Sequence, residues 1–99
     1  MPTHKELAGF WEDWQRLTPE QQEQFQIARR KFVADLHAQQ GFRASLRIKR
    51  VERGKKERVY EMTWAPDGRA TFQYGAEVLP GEPHVIWRRI GGHEILDRP

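Results

Sequence analysis

The spacing of apolar residues changes at Gly41, and this change restricts the fold more than any other feature of the sequence. Before Gly41, large apolar side chains recur every three or four residues, which is the period of an amphipathic helix. After Gly41, apolar and polar residues alternate in short runs separated by turn formers, which is typical of half-buried strands. The sequence therefore predicts helices first and an antiparallel sheet second.

The residues before Gly41 predict two helices with almost no loop between them. The first is expected over 4–17, where the apolar stripe consists of Leu7, Phe10, Trp11, Trp14 and Leu17. Thr18 and Gln21 form a capping-box pattern around Pro19, so a second helix should begin there and end before Gly41. Two helices joined this closely should form a helical hairpin.

The residues after Gly41 predict four strands, at 46–51, 59–64, 69–74 and 84–90. One face of the sheet should pack on the helices and carry Tyr60, Met62, Trp64, Phe72 and Tyr74. The other face should carry Glu61, Thr63, Arg69, Thr71 and Gln73. We therefore expect one α+β domain over residues 1–99, a helical hairpin packed on a four-stranded, mostly antiparallel sheet.

Composition excludes several classes of protein. The chain has 99 residues and no cysteine, so disulfides, thiolate metal sites and cysteine nucleophiles are excluded. The four histidines are too scattered to predict a metal site, and we expect no metal and no cofactor. No apolar run approaches the roughly 20 residues that span a bilayer. The expectation is a cytoplasmic protein with no membrane partner.

Positive charge is concentrated in one segment. The chain carries +3 overall, but residues 41–60 hold eight Lys and Arg against two Glu and so carry +6. A patch of this kind attracts polyanions by counterion release and electrostatic steering. A solvated hairpin that happens to be rich in Lys and Arg is the competing interpretation.

Three local patterns resemble the RelE/ParE superfamily of toxins from type II toxin–antitoxin systems. The basic run at 46–51 is similar to the family's strand just after the helices. The runs at 59–64 and 69–74 are similar to its central hairpin, whose second strand opens with an arginine. The run at 84–91, followed by His93, is similar to its last strand. The resemblance covers roughly residues 5 to 97, with the family's initial strand expected to be missing or reduced.

The resemblance implies a function and partners. RelE-type members are ribonucleases that cut mRNA on the ribosome, ParE-type members poison DNA gyrase, and both are held inactive by a cognate antitoxin. We expect a ribosome-dependent, metal-independent mRNA endoribonuclease that inhibits translation. Its partners would be mRNA, the ribosome and an antitoxin, a small DNA-binding protein. The alternatives are a toxin of the same fold that acts by binding another target such as DNA gyrase, or a non-catalytic protein-binding module.

The expected catalytic residues are Arg69, Arg89, His93 and Glu61. Cleavage of RNA without a metal needs a base for the ribose 2′-OH, a cation for the phosphorane and an acid for the leaving oxygen. Arg69 matches the family's hairpin arginine and is assigned to phosphate binding, because a guanidinium matches phosphate geometry. Arg89 would join it on the polar face if Val85 and Trp87 share that face. His93 is the candidate acid, and Glu61 is the candidate base or the partner that orients Arg69.

The expected RNA-binding residues are Arg47, Lys49, Arg50, Lys55 and Lys56. Arg47 and Lys49 would share one face of the first strand and bind the RNA backbone. The sequence departs from many ribonuclease members of the family in two ways. Ile95 and Leu96 stand where those members carry a tyrosine, and Glu61 and Thr63 replace lysines of the central strand. The site is therefore poorer in acid and base groups. The missing tyrosine favours the binding toxin, whereas the retained His93 argues against it.

Overall fold

The computed structural model describes residues 1–51 and 58–99 as a two-layer α+β fold. The helices and strands follow in the order β1 (Thr3–Glu6), α1 (Ala8–Trp14), α2 (Pro19–Ala38), β2 (Lys49–Arg50), β3 (Tyr60–Thr63), β4 (Arg69–Gly75) and β5 (His84–Gly91). Short 3-10 helices lie at Ala44–Leu46 and His93–Asp97. The strand order is β1-β5-β4-β3-β2, in which β1 is parallel to β5 and the other neighbours are antiparallel. The predicted fold class is confirmed, with five strands in the described residues rather than four.

The N-terminus was predicted wrongly, because residues 3–6 form a strand and not the first turn of a helix. Strand β1 pairs with 84–87 of β5, and Leu7 continues the pairing by donating its backbone N–H to Trp87. The edge of β5 offers backbone groups that need hydrogen-bond partners, and this tertiary demand is not visible in local periodicity. An initial strand is therefore present, contrary to the expectation that it is missing or reduced.

The start of α2 is confirmed in atomic detail. The Thr18 hydroxyl accepts a hydrogen bond from the Gln21 backbone N–H at 3.2 Å, and the Gln21 side-chain oxygen accepts one from the Thr18 N–H at 2.8 Å. This reciprocal capping box satisfies two of the donors that a helix start leaves unpaired. The helix ends at Ala38, and Gln39 adopts the left-handed cap before Gly41 is reached.

Both helices pack on one face of the sheet around Trp87 of β5. The Trp87 ring is 2% exposed and lies 5.1–6.4 Å, between ring centroids, from four aromatic rings, those of Phe10, Phe25, Phe32 and Phe72. Met62, Trp64 and Phe72 face the helices as predicted. Tyr74 packs against Tyr60 and Phe72 but remains 42% exposed. No helix in the described ranges is long and apolar enough to cross a bilayer.

A charged clamp fixes the chain after α2. The Asp35 carboxylate accepts hydrogen bonds from the backbone N–H, Nε and Nη2 of Arg43 at 2.8–2.9 Å. These bonds, the side-chain ones first, lower the pKa of Asp35 from 3.8 to about 2. Because the folded pKa lies below the unfolded one, the clamp stabilises the fold above pH 4 and loses its effect as the pH falls towards 2.

We expect Asp35→Asn to be less stable than the wild type at pH 6, with the difference vanishing between about pH 4 and pH 2. Denaturant unfolding at a series of pH values measures this difference. Glu23→Gln is the matched control, because it removes an exposed carboxylate from the same helix. A difference that stays constant down to pH 2 would contradict the clamp.

Candidate functional site

A row of polar residues crosses the sheet on the face opposite α2. The backbone partners in this row are Lys49 of β2, Glu61 of β3, Thr71 of β4 and Arg89 of β5. Glu61 is only 5% exposed, and its Oε1 lies 3.8 Å from Lys49 Nζ and 3.9 Å from Arg69 Nε. A buried carboxylate needs nearby cations to offset the loss of hydration. The structure therefore places Glu61 between two of the predicted site residues.

Arg69 opens β4 and closes the turn that precedes it. Its Nη1 donates to the backbone carbonyls of Ala65, Pro66 and Gly68 at 3.5, 3.2 and 3.0 Å. These contacts and the proximity of Glu61 fix the direction of the guanidinium. A fixed guanidinium loses little freedom when it binds a phosphate, which suits the predicted role.

The same turn folds tightly over the ring of Trp64. A Cβ atom on Gly68 would lie 2.6 Å from Trp64 Cδ2, so this position has no room for a side chain. The Trp64 indole N–H is buried and is the one such side-chain donor without a hydrogen-bond partner in the described ranges. The turn is thus held by backbone hydrogen bonds and by close packing on the Trp64 ring, and not by a polar contact of the indole.

Arg89 is committed to a structural ion pair. A bulge opposite Thr71 and Phe72 changes the phase of β5, and Val85 and Trp87 face the helices rather than the polar face. The prediction that Arg89 joins Arg69 assumed that Val85 and Trp87 share the polar face, and this assumption is wrong. Arg89 Nε and Nη2 donate to the Asp13 carboxylate of α1 at 2.6 and 3.1 Å. These bonds raise the pKa of Arg89, so the guanidinium stays charged.

Asp13 was not selected from the sequence, yet it ties α1 to the end of β5. Its Oδ2 accepts the backbone N–H of Ile90 at 3.1 Å in addition to Arg89 Nε. The side chain is almost fully buried. In the sequence, Asp13 looks like one polar residue among several on a helix, because its hydrogen-bond donors lie more than 70 residues away.

His93 lies on the surface at the start of the second 3-10 helix, directly after Gly91 and Gly92. A Cβ atom on Gly92 would lie 2.5 Å from Asp67 Oδ2 and 2.4 Å from Glu94 Oε2. Two carboxylates therefore flank the glycine that precedes the imidazole. The sequence analysis treated Asp67 only as a turn former and did not select Glu94, because their proximity depends on the pairing of Arg69 with Gly91.

The predicted RNA-binding residues are only partly brought together. Lys49 and Arg50 form the short edge strand β2 and are exposed. Arg47 lies outside that strand, in a left-handed conformation after the first 3-10 helix, so the prediction that it shares a strand face with Lys49 is wrong. Its neighbour Leu46 packs in the core at the end of the 3-10 helix, so the strand begins at Lys49 rather than at Leu46. Lys55 and Lys56 lie outside the described residues.

The last residues of the chain cover part of the polar face. The Pro99 carbonyl accepts hydrogen bonds from Arg88 Nε at 3.1 Å and the Thr71 hydroxyl at 3.4 Å, and Arg88 also bonds Gln73. The Arg98 carbonyl accepts one from Arg89 Nη1 at 3.1 Å. The β4–β5 half of this face is thus occupied by the chain itself. In the described ranges, no group of His, Asp and Glu side chains could hold a metal ion.

Solved structures of a toxin–antitoxin complex contain a chain with a similar fold. No family model and no curated protein matches the sequence. Two crystal structures of the E. coli DinJ–YafQ complex, one described as a toxin–antitoxin complex, contain a chain of similar structure. The TM-scores are 0.65 and 0.62 at 12% identity, over 97% and 96% of this chain and 98% and 96% of the matched chains.

The fold is RelE-like. At 12% identity the likeness concerns the backbone arrangement and not individual side chains. It extends over nearly the whole of both chains, so no part of the α+β architecture stands apart from the match.

We expect Asp13→Ala to destabilise the fold by about 2–3 kcal/mol, because it leaves a buried backbone N–H and an arginine without their partner. Asp13→Asn should cost less, since an amide oxygen still accepts the Ile90 N–H. Denaturant unfolding measures both variants, with Glu12→Ala as the control for losing an exposed carboxylate from the same helix. Equal stability of Asp13→Ala and Glu12→Ala would contradict a structural role.

Proposed function

We propose that this protein is the toxin of a type II toxin–antitoxin system and that it cleaves mRNA on the ribosome to inhibit translation. The observation that carries the first part is the RelE-like fold, shared over 97% of the chain with a component of the DinJ–YafQ toxin–antitoxin complex. The second part is supported by polar groups suited to RNA cleavage at one end of the sheet, where β4 begins at Arg69 and β5 ends at Gly91. A cognate antitoxin and a cytoplasmic location follow from the same proposal.

The proposed reaction needs no metal. A base removes the proton from the ribose 2′-OH, the 2′-oxygen attacks the neighbouring phosphorus, and the bond from phosphorus to the 5′-oxygen breaks. The leaving oxygen takes a proton from an acid, which gives a cyclic phosphate and a free 5′-OH. Arg69, held by the turn carbonyls, is assigned to the charge that develops on the phosphorane. His93, exposed at the surface, is assigned to acid catalysis.

Three carboxylates are candidates for the base. Glu61 stays the candidate from the sequence, but its burial and its two cationic neighbours suit the orientation of Arg69 and Lys49 better. Asp67 and Glu94 lie beside Gly92, next to His93 in the chain, and we assign removal of the 2′-OH proton to one of these two carboxylates. Arg89 is assigned to holding Asp13 rather than to the substrate.

A toxin that acts by binding another target, such as DNA gyrase, is the second candidate. The commitment of Arg89 to Asp13 and the contacts of Arg88 with the C-terminal residues leave few free acid or base groups on the polar face. A binding toxin does not need His93 as a proton donor. Loss of His93 therefore separates the two mechanisms.

The test is expression of the wild type, His93→Ala and Arg69→Ala from a tightly controlled promoter in bacteria. We expect the wild type to stop growth and to cut translated mRNA, and each variant to lose at least 100-fold in cleavage rate. Growth curves and mapping of mRNA ends measure the outcome. Circular dichroism verifies that the variants fold.

His37→Ala is the matched control, because it removes an exposed histidine from the last turn of α2, far from His93 in the sequence. It should remain as toxic as the wild type. If both the wild type and His93→Ala stop growth and the mRNA stays intact, the ribonuclease proposal is wrong and the binding toxin is the better interpretation. A wild type that folds and leaves growth unchanged would contradict the toxin altogether.

A further inference from the structure

A groove lies beside Arg69, on the side away from the polar row. It is formed by α2, the first 3-10 helix and the turn between β3 and β4, and its volume is about 510 Å³. The side chains that give it charge are Lys31, Arg47 and Arg69. Its apolar walls come from Ile27, Ala28 and Pro66.

The groove is cationic, and its available cations are Lys31 and Arg47. Within residues 1–51 and 58–99, no carboxylate lines it, and neither Lys31 nor Arg47 forms an ion pair. A second groove, of about 410 Å³ beside Arg89, is different, because Asp13, Glu94 and Asp97 offset its arginines. The first groove therefore presents uncompensated positive charge to a ligand.

The backbone of Arg47 is held in an unfavourable conformation at this groove. Its φ of 47° and ψ of 47° lie in the left-handed region, which residues other than glycine and asparagine rarely adopt. Such conformations persist where the surrounding fold enforces them, and they concentrate at functional sites. Glycine would fit this position without strain, but the position carries an arginine whose side chain lines the groove.

We propose that this groove binds the phosphate backbone of single-stranded RNA next to the cleavage site, with Lys31 and Arg47 on successive phosphates. The proposal rests on the proposed ribonuclease function and assigns the path of its substrate. Arg69 belongs to both the groove and the polar row, so one strand passes from the reacting phosphate into the groove. Trp64 is the aromatic residue of the lining and is buried, so bases do not stack there and binding tolerates any sequence.

The experiment measures binding of a labelled 2′-O-methyl RNA of about 12 nucleotides over a range of salt concentrations. This RNA lacks the free 2′-OH, so it is bound without being cut. The test variant is Lys31→Ala/Arg47→Gly, in which the glycine also removes the backbone strain and protects the fold. The matched control is Lys5→Ala/Arg30→Ala, which removes the same charge from exposed positions outside the groove.

We expect the groove variant to bind roughly tenfold more weakly than the control at 0.1 M salt. Its slope of log affinity against log salt should fall by about 1.4, which is about 0.7 for each lost phosphate contact with a single strand. Its thermal midpoint should equal or exceed that of the wild type. Equal affinities and slopes for the two double variants would overturn the groove, and so would a wild type that binds no RNA.

The outcomes separate this proposal from the ribonuclease. A wild type that binds RNA through the groove but cuts no mRNA in cells would sink the ribonuclease and leave the groove standing. A wild type that cuts mRNA in cells, but whose RNA affinity does not depend on Lys31 and Arg47, would overturn the groove and leave the ribonuclease standing. Loss of polyglutamate binding in the groove variant, with RNA binding unchanged, would assign the groove to an acidic protein segment and overturn the RNA path.

Discussion

The packing of β5 against both helices is the constraint on which the rest of the structure depends. Trp87 fills the centre of the core from this strand, and the backbone on either side of it pairs with β1 and β4. The end of the strand is held by Asp13 of α1 through a backbone N–H and a guanidinium. In a chain of this size one large ring supplies a considerable part of the apolar surface that can be buried.

This constraint decides which charged residues remain for chemistry. The bulge that keeps both Trp87 and Ile90 in the core redirects the two intervening arginines, and these arginines bind Asp13, Gln73 and backbone carbonyls. Arg69 is held at the start of β4 by the turn that Trp64 supports. Arg69 and Glu61 remain near each other, and Asp67 and Glu94 lie beside Gly92, which precedes His93. The proposed chemistry is therefore concentrated at one end of the sheet.

Arg69 connects this end of the sheet to the cationic groove. Its Nη1 is saturated by turn carbonyls and its Nε faces Glu61, which leaves the other amino group for a phosphate. A strand of RNA that reacts beside His93 and continues along Lys31 and Arg47 would be held mainly by charge. Such binding depends on salt and is indifferent to sequence, so a preference among messages would have to come from the ribosome or from the cleavage end.

The sequence by itself determined the α+β class, the capping box of α2, the turn formers and the alternation that places Met62 and Phe72 in the core, because these depend on neighbours within a few residues. Tertiary structure decided the rest. Residues 3–6 became a strand because β5 had an open edge, and Leu46 left the predicted strand because the core drew it in. Arg89 and its partner Asp13 are 76 positions apart in the sequence, and Asp67 and Gly92 are 25 positions apart. Only the folded chain brings such groups together, since the hydrogen bonds and packing that place them act between segments distant in sequence.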